Sequence, residues 1–212
     1  QWKDIISILP LARKYNSVII PLNGTISQSV INYINQATPI GIQELQDTQL
    51  LIFSNNPDTL DTGLQQLAPL KSTVATFDST NSLMDEANRL LGENNATYGF
   101  AISDSAPLFS TPAATWVVNQ GSALLLTDSA GNLYPSSQTL LKAGSIKKVY
   151  IVGKQSIALQ QNLKNLNVEV QSITADTPEE IAIRFAQFYD PVTHVGWDAT
   201  LERSDSGHNY IL

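Results

Sequence analysis

The chain has 212 residues, with 12 basic against 19 acidic side chains and a net charge of −7, which excludes the basic surface that neutralises nucleic-acid phosphates. Only 15% of its residues are charged, below the usual share of about 25%, and Asn, Gln, Ser and Thr fill the gap. With no cysteine, that balance leans towards an extracellular surface protein rather than a cytosolic enzyme.

Short apolar runs alternate with helix-period segments along the chain. The opening "WKDIISILPLARKY" reads as a helix and "SVIIPL" (17–22) as a strand. Thr25 is placed to cap a helix whose Ile26, Val30, Ile31 and Ile34 share a face. Further strands follow at 49–54, 73–77, 98–103, 122–127, 148–153 and 168–173, with a weaker one in "HVGWDA" (194–199). Most are too apolar for a sheet with one wet face, so helices should cover both sides. Thr177-Pro178-Glu179-Glu180 is a helix start with a hydroxyl cap, a proline at the first position and a glutamate that can reach back. The helix it opens should bury Ile181, Ile183, Phe185 and Phe188. Such alternation implies parallel pairing through right-handed crossovers.

The pattern repeats. Ile52 in "LLIFS" matches Ile151 in "VYIVG", and Ser17 of "SVIIPL" matches Ser122 of "SALLLT". The fold class expected is α/β: two tandem Rossmann-like units of about 100 residues, each a small, mostly parallel sheet flanked by helices. The boundaries fall at 1–92 and 93–190, with 191–212 a C-terminal strand and tail. The first unit lacks an opening strand. Either 194–199 fills that place or the chain is part of a longer array.

The search for chemistry is mostly negative. Gly153-Lys154 ends an apolar run, but the residue five before the glycine is Lys148 and Gln155 follows, so this is no phosphate loop. Asp190, His194 and Asp198 have four-residue spacing, yet Pro191 and the strand-like "HVGW" argue against a helical metal face. His208 is the other histidine, and no G-x-S-x-G elbow accompanies either. The expectation is a protein that is not an enzyme, with no cofactor and no metal. Ligands of open parallel sheets bind beyond strand C-termini, which makes Asp104, Ser105, Asp128 and Ser129 candidate contacts for sugar hydroxyls as well as caps of the next helices. Trp116 should be core, whereas Trp197 could be exposed. Asn23 and Asn95 carry N-x-S/T sequons. No run approaches the roughly 18 apolar residues of a membrane span. Gln1 opens no leader, so an exported protein would have lost its signal or carry it upstream.

The second unit resembles the cell wall-binding repeat 2 family of S-layer-associated surface proteins. The resemblance lies in "TPAATWVVNQGSALLLTD" (111–128), "GSIKKVYIVGK" (144–154) and "TPEEIAIRFAQF" (177–188), with a fainter echo in "LPLARKYNSVIIPLN". Lys154 stands where the family pattern has a second glycine, and Leu108-Phe109 where it has Asp-Ala. The resemblance implies a secreted module on the cell surface or wall that anchors to or assembles on the envelope. Its implied partners are cell-wall polysaccharide or other envelope components, and further repeats of a larger surface protein. Members are thought to hold anionic wall polymers, and Lys142, Lys147, Lys148 and Lys154 are the basic group that could meet one. The alternative is an extracellular solute-binding or sensor module with a cleft between two α/β lobes, the loops at 103–105 and 127–129 lining it.

Overall fold

The computed structural model describes residues 2–57, 61–92, 96–153 and 157–196. Two compact units, Gln1–Glu93 and Asn94–Leu212, divide the chain. Both are built on parallel strands flanked by helices, one with a two-stranded sheet and the other with a four-stranded sheet.

In the first unit the opening helix is broken into α1 (Trp2–Ser7) and α2 (Leu9–Lys14). Pro10 lies in the first turn of α2, where its missing N–H costs nothing but cannot continue a helix from upstream. These helices pack on α5 (Thr80–Leu91), where Leu83, Met84 and Ala87 are buried with Ile6 and Leu11. Thr80 donates to Asp4 Oδ1 at 2.8 Å. At the far end of α5, Tyr15 Oη donates to the Leu90 carbonyl at 2.9 Å and Lys14 Nζ to that of Leu91 at 3.0 Å. Two C-terminal carbonyls left open by helix geometry are thereby satisfied. The sheet is β1 (Leu50–Ser54) beside β2 (Ser72–Thr76), from Leu50 opposite Ser72 to Ser54 opposite Thr76. A short helix α4 (Asp61–Gln66) lies between these strands.

Two expectations for this unit are corrected. Residues 17–22 form no strand; Val18 is 70% exposed, so the run lacks the neighbour whose burial would reward a ladder. Helix α3 (Gln28–Ala37) is capped by Ser27, which accepts from Val30 N, and not by Thr25.

The second unit has β3 (Tyr98–Ser103), β4 (Ala123–Thr127), β5 (Lys148–Val152) and β6 (Glu169–Ile173), all parallel in the order β4-β3-β5-β6. Its helices are α6 (Pro107–Gln120), α7 (Pro135–Lys142), α8 (Ile157–Asn165) and α9 (Pro178–Gln187). Both faces of β3, β4 and β5 are buried, as near-continuous apolar strands require, whereas β6 at the edge is largely exposed or half-buried. On one, Ala101, Leu125, Val149 and Ile151 pack with Leu141, Leu159 and Leu163. On the other, an aromatic stack runs through the core. Phe185 lies 5.9 Å from Phe100 and 6.4 Å from Trp116, and Phe100 lies 5.4 Å from Tyr150.

Thr177 caps α9 by accepting from Glu180 N at 3.2 Å, and the Glu180 carboxylate reaches back to Asp176 N at 3.1 Å. Ile181 and Phe185 face inward on consecutive turns. Ile183 does not, being 57% exposed, because two residues along a helix turn a side chain to the opposite face. Residues 194–196 also depart from expectation: Gly196 makes an isolated antiparallel bridge to Tyr189 inside the second unit, and 197–199 lie outside the described residues.

Phe185→Ala should cost about 3–5 kcal/mol in urea unfolding, because the cavity left in the aromatic stack cannot collapse. Ile183→Ala, on the wet face of the same helix, should stay within about 0.5 kcal/mol of the parent.

Candidate functional site

The sheet order places a topological reversal at β3, with β4 on one side and β5 on the other. A crevice beyond the C-terminal ends of β3 and β5 is where such a sheet would take a ligand. Here it is filled. Gly153, directly after β5, has φ 86°, and a Cβ built on it would come within 2.9 Å of Phe109 Cβ on α6. The glycine is needed twice over, for the left-handed backbone and for the close approach of the phenylalanine.

The loops flanking the crevice are occupied with their own closure. Asp104 N extends the β3–β4 ladder to the Thr127 carbonyl at 2.8 Å, and its Oδ2 accepts from Tyr134 Oη at 2.6 Å. Ser105 Oγ is 2.8 Å from Ser103 Oγ. Asp128 Oδ1 accepts from the N–H groups of Ala130 and Asn132, at 2.9 and 2.8 Å, and its Oδ2 from the Asn132 amide at 2.9 Å. The side-chain bond from Asn132, then the backbone donors, hold the Asp128 carboxyl below its ordinary range. This turn brings Leu133 back to an antiparallel bridge with Thr127. Tyr134 N then donates to the Leu126 carbonyl at 2.9 Å, and Ser137 Oγ accepts from Leu126 N at 2.9 Å. The Asp128 loop thus covers the outer edge of β4, a strand edge that would otherwise stand open. Of the four hydroxyl and carboxyl candidates, Ser129 is exposed and has no such task among the described residues.

The lysines are elsewhere. Lys147 and Lys148 sit at the N-terminal edge of the sheet, about 15 Å from the Asp104 and Asp128 loops by the length of a five-residue strand. Lys147 is exposed and donates to the Gly144 carbonyl at 2.5 Å. Lys148 is buried and paired with two carboxylates: its Nζ lies 2.5 Å from Asp190 Oδ2 and 2.7 Å from Glu169 Oε1. Lys154, the remaining candidate, lies outside the described residues. The basic face is therefore not assembled around Lys148.

The constellation that sequence reasoning missed is built on this buried lysine. Asp190 Oδ2 also accepts from Tyr150 Oη at 2.7 Å, while Thr193 Oγ1 closes on the same phenol. The second carboxylate oxygen, Oδ1, accepts from Val192 N at 2.8 Å and Thr193 N at 3.3 Å. Burial pushes the Asp190 carboxyl up, but the Lys148 ammonium, the Tyr150 hydroxyl and the two N–H groups outweigh it and hold it well below the carboxylate range. Burial likewise works against the Lys148 ammonium, and the Asp190 and Glu169 carboxylates reverse that and raise it. The Tyr150 phenol is raised chiefly by burial. The signal was present in the sequence: Lys148 opens a strand that is otherwise wholly apolar, and a buried ammonium requires a carboxylate. His194 is engaged through Nδ1 with Tyr189 Oη at 2.9 Å. Among the described residues no group of three potential ligands could hold a metal. Trp116 is core, 5% exposed, and Trp197, Asp198, His208 and Asn95 lie outside the described residues.

No family model and no curated protein matches the chain. Among solved structures, Cwp8 from Clostridium difficile is similar, with a TM-score of 0.65 at 15% identity, over 91% of this chain and 32% of that one. The chain spans about a third of Cwp8. The fold is shared.

Removing one partner of the buried pair should be severe. Lys148→Met, which strands the Asp190 carboxylate, should lose about 3–5 kcal/mol by urea unfolding, and Lys148→Met/Asp190→Leu should recover much of it. The depressed Asp190 carboxyl stabilises above its unfolded value and loses that contribution as pH falls through its folded value. The raised Lys148 and Tyr150 groups stabilise below their unfolded values and lose theirs as pH rises. Thermal stability should thus be flat between about pH 5 and 9 and fall on both sides. Asp190→Asn should make the acid limb shallower.

Proposed function

We propose that this chain is a non-catalytic module of the cell envelope, secreted and held at the cell surface or wall, where it anchors or assembles a larger protein. The observation that carries this reading is the fold shared over 91% of the chain with Cwp8, a cell wall protein. Two further features support it. Phe109 packs against Gly153 at the strand ends where an α/β enzyme would bind its substrate. The polar groups around it are consumed in holding loops and covering the β4 edge. A surface of this kind, poor in charge and rich in amides and hydroxyls, suits many weak contacts to polysaccharide, and repetition of such units multiplies them. Contacts would fall on Ser129 and Lys147, on opposite edges of the sheet, rather than in one deep site. No helix among the described residues is long and apolar enough to cross a membrane. The partners we propose are wall polymers and neighbouring surface proteins.

The full chain mixed with purified cell-wall sacculi should sediment with them and be released when the attached polymer is stripped. A chain that stays in the supernatant, and instead gains several degrees in melting temperature with a small solute, would favour the solute-binding alternative.

A further inference from the structure

We propose that Asn23 is a site of non-enzymatic deamidation, in which the backbone nitrogen of Gly24 closes on the Asn23 side-chain carbonyl and the amide is converted to aspartate and isoaspartate. The bond formed joins Gly24 N to Asn23 Cγ, and the bond broken is that to the side-chain nitrogen, which leaves as ammonia with the proton given up by Gly24 N. Water then opens the five-membered imide at either carbonyl. Opening at one restores the original backbone with a carboxylate side chain, and at the other routes the backbone through the former side chain. Nothing is oxidised or reduced.

Ring closure makes three demands of a protein: a following residue without a bulky side chain, a backbone nitrogen not tied in a hydrogen bond, and a local chain free to bend. Asn16, Asn23 and Asn81 are the asparagines followed by Gly or Ser, and the structure separates them. Ser17 N, after Asn16, donates to the Ala12 carbonyl at 2.8 Å. Asn81 lies in the first turn of α5, its amide donating to Asp85 at 3.0 Å, and Ser82 N donates to Ser79 Oγ at 3.2 Å. Asn23 meets every demand. It lies with Gly24 and Thr25 in an exposed bend between the unladdered run 17–22 and the Ser27 cap of α3. Gly24 has φ 86°, and nothing lies within 4 Å of where its Cβ would be. Among the described residues no hydrogen bond holds the Asn23 amide or the Gly24 N–H. The product adds a negative charge to an already acidic chain and removes the acceptor of the Asn23-Gly24-Thr25 sequon.

Peptide mapping by mass spectrometry of the full chain, aged at neutral and mildly alkaline pH, tests the assignment. Each conversion adds about 1 Da, and enzymatic methylation of isoaspartate marks the rearranged product. Asn23 should convert about tenfold or more faster than Asn16 or Asn81 in the folded protein, since glycine offers neither bulk nor backbone restriction. Its rate should change little in urea, whereas those of Asn16 and Asn81 should rise as their hydrogen bonds are lost. Asn23→Gln should abolish the fast site without altering the fold. Conversion of Asn23 no faster than Asn16 and Asn81, or strongly accelerated by urea, would overturn the proposal.

Discussion

An ammonium group inside a sheet is tolerated only where a carboxylate meets it with its remaining valences satisfied. Lys148 and Asp190 meet that condition in the second unit. Asp190 spends one oxygen on Lys148 and Tyr150 and the other on two backbone N–H groups, so neither charge is left bare. The consequence is positional: the segment after α9 is fixed to the first and third residues of a central strand. The same segment contributes Val195 to the core and receives Asp190 N at the Val195 carbonyl, 2.7 Å away. A hydrophobic isostere would fill the volume, but it would not dictate which strand the turn must meet.

The opposite end of the sheet makes the complementary point. Open parallel sheets keep their ligand chemistry beyond the strand C-termini, and three local contacts lie at that end of this sheet. Phe109 fits against Gly153, Tyr134 reaches across to Asp104, and the Asp128 turn folds over β4.

Much of the fold was legible because it rests on local alternation of apolar and polar residues. The runs "YGFAIS", "ALLLT" and "KVYIV" have no outlet but a doubly covered sheet, and Thr177-Pro178 announces its helix without reference to anything distant. "SVIIPL" misled because β propensity describes a fit to neighbours, and the neighbours of residues 17–22 do not complete a ladder. The candidate site was harder to read. Lys148 looks in sequence like one of a cluster with Lys147, yet adjacent strand residues point to opposite faces, so one is in water and the other in the core. Asp190 is more than forty residues from Lys148, and no spacing rule links them. Phe109 resembles any helix residue until the φ of Gly153 is known.

Ser137 carries a consequence for the outer edge of β4. Its single hydroxyl serves both the N–H and the C=O of Leu126, at 2.9 and 3.3 Å, so that part of the strand has no free valence to offer another chain. A strand that met this edge at Leu126 would find no backbone partner there, and any contact would have to come from side-chain fit.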